Sequence, residues 1–449
     1  MQANWQMEAI CAISTAYGTG GIAVVRVSGE GSISMVDTLF RGRTSLSDTP
    51  ANTIRHGQIV RDGEVLDEVL CSVFRAPHSF TGEDTVEIAC HGSLYVQQEL
   101  LRWLIDAGCR AAEPGEFTRR AFLNGKMDLA QAEAVADLIA AQSRAEKDLA
   151  LSQLRGSVSN ELAALRERLL HFTSLVELEL DFADHEELEF ANRSELNDLA
   201  AEIEHKLAAL MASFRTGNAI RNGIPVAIVG APNVGKSTLL NALLGEQRAI
   251  VSDIQGTTRD TIEDTIVLDG ILFRLIDTAG LRETSDTLEN MGIARSRKAI
   301  ENAQIIIHVA EPGACSVEEL ESVHGTVIHV TNKSDLMSDA SLKGENDESS
   351  LLISAKYGDI EPLKRELVRL AKKDWSTAAV MLGNARHYEA VCRAHEAIER
   401  VQQGLRDGLS GELLSMDLQD CLSALGEVTG QITSQEVLAN IFSKFCIGK

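Results

Sequence analysis

Aromatic residues are scarce, 4% of a 449-residue chain, so its cores must be aliphatic and alanine-rich, a texture that suits helices. The eight cysteines are Cys11, Cys71, Cys90, Cys109, Cys315, Cys392, Cys421 and Cys446. None forms a CxxC pair and no Cys/His cluster has zinc-finger spacing, which excludes a finger-type zinc site and points to reduced thiols in a cytoplasmic chain. The eleven histidines show no metal pattern. The opening MQANWQMEAICAIS lacks a basic stretch followed by a long apolar run, so no signal peptide is expected. The longest apolar stretches, such as that holding Ile305, Ile306 and Ile307, are strand-length, too short for a bilayer, and no membrane association is expected. Positive charge is short as well. Lys and Arg number 42 against 66 Asp and Glu, a formal net charge of −24. Phosphate neutralisation needs cations, so the chain alone is unsuited to gripping nucleic acid broadly, and a basic partner would supply most of that grip.

What is present is ordinary globular composition, 44% hydrophobic and 24% charged, at a length that implies two or three domains. Residues 1–120 read as mixed α and β. Ile22–Gly29, Glu68–Ala76 and Thr85–Gly92 are β-branched runs, and Tyr95–Gly108 has helical spacing. Residues 121–220 are dense in Ala, Leu and Gln with helical periodicity, broken by an acidic junction at Asp181–Glu189. At Gly223-Ile224-Pro225 the texture changes again. VAIVG, IVLDGILFRLIDTAG, IIIHVAE, VIHVTNKSD and LLISAK read as strands alternating with helices, a parallel α/β sheet over 221–375. Residues 376–449 return to helix. The economical architecture is multidomain: an N-terminal α+β domain, a helical bundle made of two segments, and an α/β domain inserted between them.

Gly230-Ala231-Pro232-Asn233-Val234-Gly235-Lys236-Ser237 has the spacing GxxxxGKS between a strand and a helix. Its glycines let backbone N–H groups face phosphates at a helix N-terminus. Lys236 is placed for the β/γ-phosphates and Ser237 for Mg²⁺. Asn332-Lys333-Ser334-Asp335 follows a later strand. A carboxylate at Asp335 would accept from guanine N1–H and the 2-amino group, which adenine cannot satisfy. Ser354-Ala355-Lys356, after the next strand, resembles the loop whose backbone N–H contacts the guanine O6. Asp277-Thr278-Ala279-Gly280 would hold Mg²⁺ through water and sense the γ-phosphate. Thr258, in the preceding loop, would complete the Mg²⁺ shell with Ser237. The GTP-contacting set is then Asn233, Val234, Gly235, Lys236, Ser237 and Thr238; Ser252, Asp253, Ile254, Gln255, Gly256, Thr257 and Thr258; Asp277, Thr278, Ala279 and Gly280; Asn332, Lys333 and Asp335; and Ser354, Ala355 and Lys356.

Leu281 stands directly after DTAG, where a water-orienting glutamine would serve in Ras-like enzymes. Another group must act. Glu283, Asp286 and Glu289 are the nearby carboxylates, and developing phosphate charge needs either Arg259 or a bound monovalent cation near Asn233 and the Ser252–Thr258 loop. The residues alone do not choose.

GAPNVGKS, DIQGTTRD, DTAGLRET, NKSD and SAK in this order resemble the TrmE/Era branch of P-loop GTPases. Pro114–Ile139, SFTGEDTVEIACHG and the terminal Ile441–Lys449 are similar to the MnmE (TrmE) family of tRNA modification GTPases, and the likeness runs end to end. It implies an N-terminal tetrahydrofolate-binding domain, a helical domain and an inserted G domain. It implies a homodimer, with K⁺- and GTP-dependent pairing of G domains. In the family K⁺ takes the place of an arginine finger, and Asn233, Ser252, Ile254 and Thr257 match its ligands. Glu289 matches the water-orienting glutamate. Arg26, Glu87, Lys126 and Lys449 match the contacts to 5-formyltetrahydrofolate, with methylenetetrahydrofolate the alternative one-carbon donor. Cys446 matches a cysteine required for modification. The implied pathway installs a carboxymethylaminomethyl or aminomethyl group at C5 of a wobble uridine. It uses the FAD protein MnmG, in a heterotetramer or larger complex, and tRNA gripped mainly through that partner. One departure is Ala16–Gly21, where the family often carries an arginine among its glycines.

Cys446-Ile447-Gly448-Lys449 formally spells a lipidation box, but Gly448 and Lys449 do not suit prenylation. His91 reads as a buried polar residue. The competing interpretation is a ribosome-assembly or signalling GTPase with interaction-only flanks, for which a terminal cysteine and a folate pocket have no use.

Overall fold

The computed structural model describes residues 8–181, 192–247, 264–276, 300–313, 325–337, 350–373 and 380–448. The chain divides into two compact units, Met1–Ala136 with Gly426–Lys449, and Asp137–Leu425.

The first unit is built on seven strands: β1 (Ile10–Ile13), β2 (Ile22–Ser28), β3 (Phe40–Gly42), β4 (Thr53–Arg61), β5 (Glu64–Phe74), β6 (Thr85–His91) and β7 (Arg110–Ala111). Their order is β3-β4-β5-β6-β2-β1-β7, antiparallel except for the β1–β7 pair. Side chains alternate across a strand, so Val25 and Val27 of β2 are buried with the helices α1 (Ser32–Leu39) and α2 (Leu94–Asp106), while Arg26 between them faces the other way. Val36, Leu100 and Leu104 complete that aliphatic core with Trp103. Each such buried side chain contributes roughly 1.5–3 kcal/mol. The periodic runs at β2, β5, β6 and α2 were legible. The run at β4 was not, because Thr53–Arg61 is largely polar and half-exposed. Its Gly57 is fixed by space: a Cβ there would lie 2.5 Å from the Arg41 carbonyl and the Phe40 ring.

Helix α3 (Glu116–Leu123) and the C-terminal helix Gln435–Phe442 pack on one another. Leu129, Ala132 and Phe442 form their buried cluster, flanked by Phe122, Met127, Leu438, Ile441 and Phe445. This cluster explains the unit boundaries. Sequence texture alone groups 121–220 and 376–449 as helical segments, yet Ala121–Ala136 and Gly426–Lys449 fold with the N-terminal sheet.

The second unit contains long helices and a six-stranded sheet. Helix α4 (Leu129–Ala140) leads into it, followed by α5 (Arg144–Leu154), α6 (Ser157–Asp181) and α7 (Arg193–Asn222). The acidic stretch after Asp181 lies outside the described residues. The strands are β8 (Ile224–Val229), β9 (Asp264–Leu268), β10 (Ile271–Leu275), β11 (Ile305–Ala310), β12 (Thr326–Thr331) and β13 (Ser350–Leu352), with helices α8 (Lys236–Gln247) and α9 (Glu361–Lys373). The order β13-β12-β11-β8-β10-β9 puts β8 near the centre.

One sequence expectation is corrected here. Over its described residues, IVLDGILFRLI, the run is not a single strand in a purely parallel sheet. It is a β9–β10 hairpin, antiparallel, turning at Asp269 (φ 50) and Gly270 (φ 77). Two left-handed residues at an Asp-Gly step match a two-residue hairpin turn. That turn is docked on helices. The Gly270 carbonyl accepts from Ala145 N–H at 3.0 Å, and Asp269 is ion-paired to Lys372 of α9.

Helices α10 (Ala385–Arg406) and α11 (Gly411–Thr429) complete the bundle. The two sequence-separated helical segments meet along α7 and α10. Ser213 Oγ accepts from Leu382 N–H at 3.1 Å, and the Phe214 and Tyr388 rings stack with centroids 4.2 Å apart. Among the described residues no helix is long and apolar enough to cross a membrane.

Candidate functional site

The phosphate-binding loop leaves the buried strand β8 and enters α8. Gly230 (φ 151) and Gly235 (φ 98) are both left-handed or nearly so, and both are sterically required. A Cβ at Gly230 would sit 2.2 Å from the Val309 carbonyl oxygen, and one at Gly235 would sit 2.3 Å from Asn332 Nδ2. Lys236 Nζ donates to the carbonyls of Gly230 and Ala231 at 2.8 and 2.7 Å. Burial pushes its ammonium pKa below the ordinary lysine value. A cation held over two loop carbonyls fits a phosphate anion. Val234 is buried, Ser237 is half-buried at the head of α8, and Thr238 is exposed.

Asn332 is the junction of the site. It is almost fully buried. Its Nδ2 donates to the Val234 carbonyl at 2.9 Å, and its Oδ1 accepts from Ala355 N–H at 3.0 Å. One amide thereby locks the phosphate loop to the Ser354–Lys356 loop. Ser354 Oγ donates to Asp335 Oδ1 at 2.6 Å, which orients the exposed carboxylate. Lys333, left-handed at φ 62, donates to the Asn233 carbonyl at 3.0 Å. Lys356 is exposed with its ammonium 5.2 Å from the Tyr357 ring centroid. The structure therefore brings Asn233, Val234, Gly235, Lys236, Asn332, Lys333, Asp335, Ser354 and Ala355 into one connected site. Ser252, Asp253, Ile254, Gln255, Gly256, Thr257, Thr258, Asp277, Thr278, Ala279, Gly280, Glu289 and Lys449 lie outside the described residues, as do Arg259, Leu281, Glu283 and Asp286.

The first unit holds a second constellation. Arg26 on β2 and Glu87 on β6 are register partners. Arg26 Nε donates to Glu87 Oε1 at 3.0 Å, and a second guanidinium nitrogen lies 2.8 Å from the same oxygen. The guanidinium stands 5.2 Å from the Phe80 ring centroid and 5.5 Å from that of Phe117. A flat cation with a partly exposed carboxylate beside aromatic rings can receive a planar heterocycle that donates and accepts hydrogen bonds. Lys126 Nζ donates to the Pro77 carbonyl at 2.9 Å.

The chain's last described residues are pinned to this unit. Cys446 carbonyl accepts from Gly115 N–H at 3.4 Å, and Gly448 carbonyl accepts from Ser14 Oγ at 3.1 Å. Gly448 (φ 93) fits only as glycine, since a Cβ would lie 2.2 Å from the Ile13 carbonyl oxygen. The Cys446 side chain stays exposed between these two anchors, whereas Cys11, Cys71, Cys90, Cys109 and Cys421 are buried thiols.

Sequence reasoning missed the support beneath this constellation. Glu116 has a fully buried side chain that accepts from Arg110 at 2.5 Å, Arg120 at 3.1 Å and Glu113 N–H at 2.8 Å. Burial works to raise its carboxyl pKa, but the Arg110 hydrogen bond and its neighbours hold it below the usual range. Arg120 continues to Glu83, and Glu83 accepts from Ser28 Oγ at 2.9 Å. Glu116 and Arg120 share α3 at i,i+4 spacing, but Arg110 on β7 and Glu83 join from elsewhere in the chain, so the spacing shows only one link of the network. His91 departs from expectation too. It is exposed rather than buried, its ring 2.7 Å from Asp67.

Two family models match the chain: GTP-binding protein TrmE N-terminus over residues 9–126, and MnmE helical domain over residues 129–446. The chain is 53% identical to the tRNA modification GTPase MnmE of Parabacteroides distasonis over 99% of this chain and 100% of that one. It is 49% identical to that of Porphyromonas gingivalis, over 99% of each. The chain belongs to the MnmE family of tRNA modification GTPases. Among solved structures, the G domain of the T. maritima FeoB iron transporter is similar over 33% of this chain and 98% of that one, at 26% identity and a TM-score of 0.24. Within the MnmE family chain, the two constellations thus fall one in each compact unit, the nucleotide loops in Asp137–Leu425 and the Arg26–Glu87 pair with Cys446 in the other.

Proposed function

We propose that this chain hydrolyses GTP, with Mg²⁺, to drive formation of a carboxymethylaminomethyl or aminomethyl group at C5 of a tRNA wobble uridine, acting with the FAD protein MnmG and a tetrahydrofolate one-carbon unit. In this reading Lys236 and the loop N–H groups hold the phosphates, and Asp335, aimed by Ser354, selects guanine. Arg26 and Glu87 bind the pterin, Lys126 and Lys449 the folate tail, and Cys446 serves the modification. Asn233, Ser252, Ile254 and Thr257 hold K⁺, Ser237 and Thr258 hold Mg²⁺, and Glu289 orients water. Two copies pair through the N-terminal units, in the cytoplasm. The four segments 1–120, 121–220, 221–375 and 376–449 are read as the corresponding functional domains, with Ala121–Ala136 and Gly426–Lys449 packed into the first compact unit.

The observation that carries this over a ribosome-assembly or signalling GTPase is the tail. Residues 446–448 are anchored to the unit that bears Arg26 and Glu87, leaving the Cys446 side chain exposed. Interaction-only flanks give no reason for that arrangement. The experiment is nucleoside analysis of tRNA from a strain lacking this chain. C5-modified wobble uridines are expected to disappear and to return with the wild-type gene. Unchanged modified uridines would sink the proposal.

The cation part is tested separately. Exchanging K⁺ for Na⁺ at fixed ionic strength is expected to lower kcat on the order of 10²-fold, the scale of losing one charge-stabilising donor. Equal rates in the two salts would remove K⁺ from the site and leave the rest standing.

A further inference from the structure

We propose that Glu311 is a positioning residue of the nucleotide site, holding Lys333 against the phosphate-binding loop. The register of β11 and β12 pairs Ala310 with Thr331, so Glu311 and the Asn332-Lys333 step leave the sheet side by side. The Glu311 carboxylate is ion-paired to Lys333 Nζ. The same ammonium donates to the Asn233 carbonyl at 3.0 Å. Asn233 and Lys333 are both left-handed, at φ 64 and φ 62. Asparagine tolerates that conformation, whereas lysine holds it only where its surroundings support it. Here one ammonium bridges the two loops. Lysine is a flexible, strongly hydrated cation, and the Lys333 side chain is 34% exposed. Without a fixed counter-charge it gains entropy and hydration by swinging into water, and Asn233 loses its donor. Glu311 supplies that counter-charge. It acts on nucleotide only through Lys333.

The inference rests on the guanine-pocket reading of Asn332, Lys333 and Asp335. The test is stopped-flow dissociation of a fluorescent GDP from the full chain carrying Glu311→Gln, Lys333→Met, or both. Glu311→Gln is expected to speed dissociation about fivefold, the scale of a partly exposed ion pair. Added to Lys333→Met it should produce no further change. The thermal midpoint of the nucleotide-free Glu311→Gln protein should match wild type. Acceleration of the same size without Lys333, or a lowered nucleotide-free midpoint, would overturn the inference. If Lys333→Met speeds dissociation and Glu311→Gln does not, this inference alone fails. If Lys333→Met has no effect, the pocket reading fails and takes this one with it.

Discussion

Gly235→Ala is expected to weaken GTP binding by on the order of 10²-fold or more. The added methyl group meets two penalties at once. The backbone at φ 98 is one that alanine reaches only with strain, roughly 1–3 kcal/mol. The Cβ would also lie 2.3 Å from Asn332 Nδ2. Asn332 cannot step aside without releasing the Val234 carbonyl and the Ala355 N–H, both bonded to it in a buried setting. Each orphaned buried group costs about 1–3 kcal/mol. The damage therefore spreads from the phosphate loop to the base loop. Gly245→Ala is the matched control: a Cβ there meets nothing within 4 Å and the residue lies in α8. It is expected to be neutral or to stabilise by up to about 1 kcal/mol. Calorimetric titration with GTP checks both, with circular dichroism to establish folding. A folded Gly235→Ala protein of near-wild-type affinity would contradict the geometry.

Asp335→Asn is expected to invert base preference, from guanine to xanthine nucleotides, by on the order of 10³-fold or more in the ratio of affinities. Ser354 makes this prediction sharper than the bare motif does. Its hydroxyl donates to Asp335 Oδ1 at 2.6 Å. In the asparagine variant the amide oxygen keeps that hydrogen bond, so the NH₂ group turns toward the base. It then faces the donor 2-amino group of guanine, whereas xanthine presents a carbonyl there. Sites that leave such buried groups mismatched discriminate by about 10⁴–10⁵ in favourable cases. Competition of GDP and XDP for the variant reads the ratio directly. Retained guanine preference would show that Asp335 does not face the base. Ser354→Ala combined with Asp335→Asn should give a less complete switch, because the amide is then free to flip.

The nucleotide site was legible because its parts follow strands in a fixed order. Gly230, Gly235 and Lys236 could be assigned from their spacing between a strand and a helix together with the motifs that follow, and NKSD and SAK from what precedes them. What the sequence did not reveal was connection. Nothing in the spacing says that Asn332 serves two loops, or that Glu311, outside every motif, meets Lys333. Those facts depend on parallel register. The Asp269-Gly270 step carried a hairpin signal, but apolar residues on both sides made it read as one strand. In the first unit, the strings around Glu83 and Glu116 stood out as family-like. Their reason, a buried carboxylate shared by Arg110 of β7 and Arg120 of α3, appears only once strand and helix are assembled. Strand β4 escaped because a half-exposed strand with polar residues on both faces has weak alternation.

The tail that pins Cys446 has a consequence for synthesis. The first unit needs Gly426–Lys449 as well as Met1–Ala136, and Ser14 meets a partner 434 positions away. A ribosome working at ~5–20 residues per second takes on the order of 15–60 s to translate what lies between. During that interval Leu129, Ala132 and Phe122 have been made, while Phe442, Leu438 and Phe445, which cover them, have not. The nascent chain must carry an unfinished apolar surface through the whole translation of the nucleotide-binding unit. Shortening the tail should therefore lower soluble yield more than it lowers the melting temperature of the protein that survives.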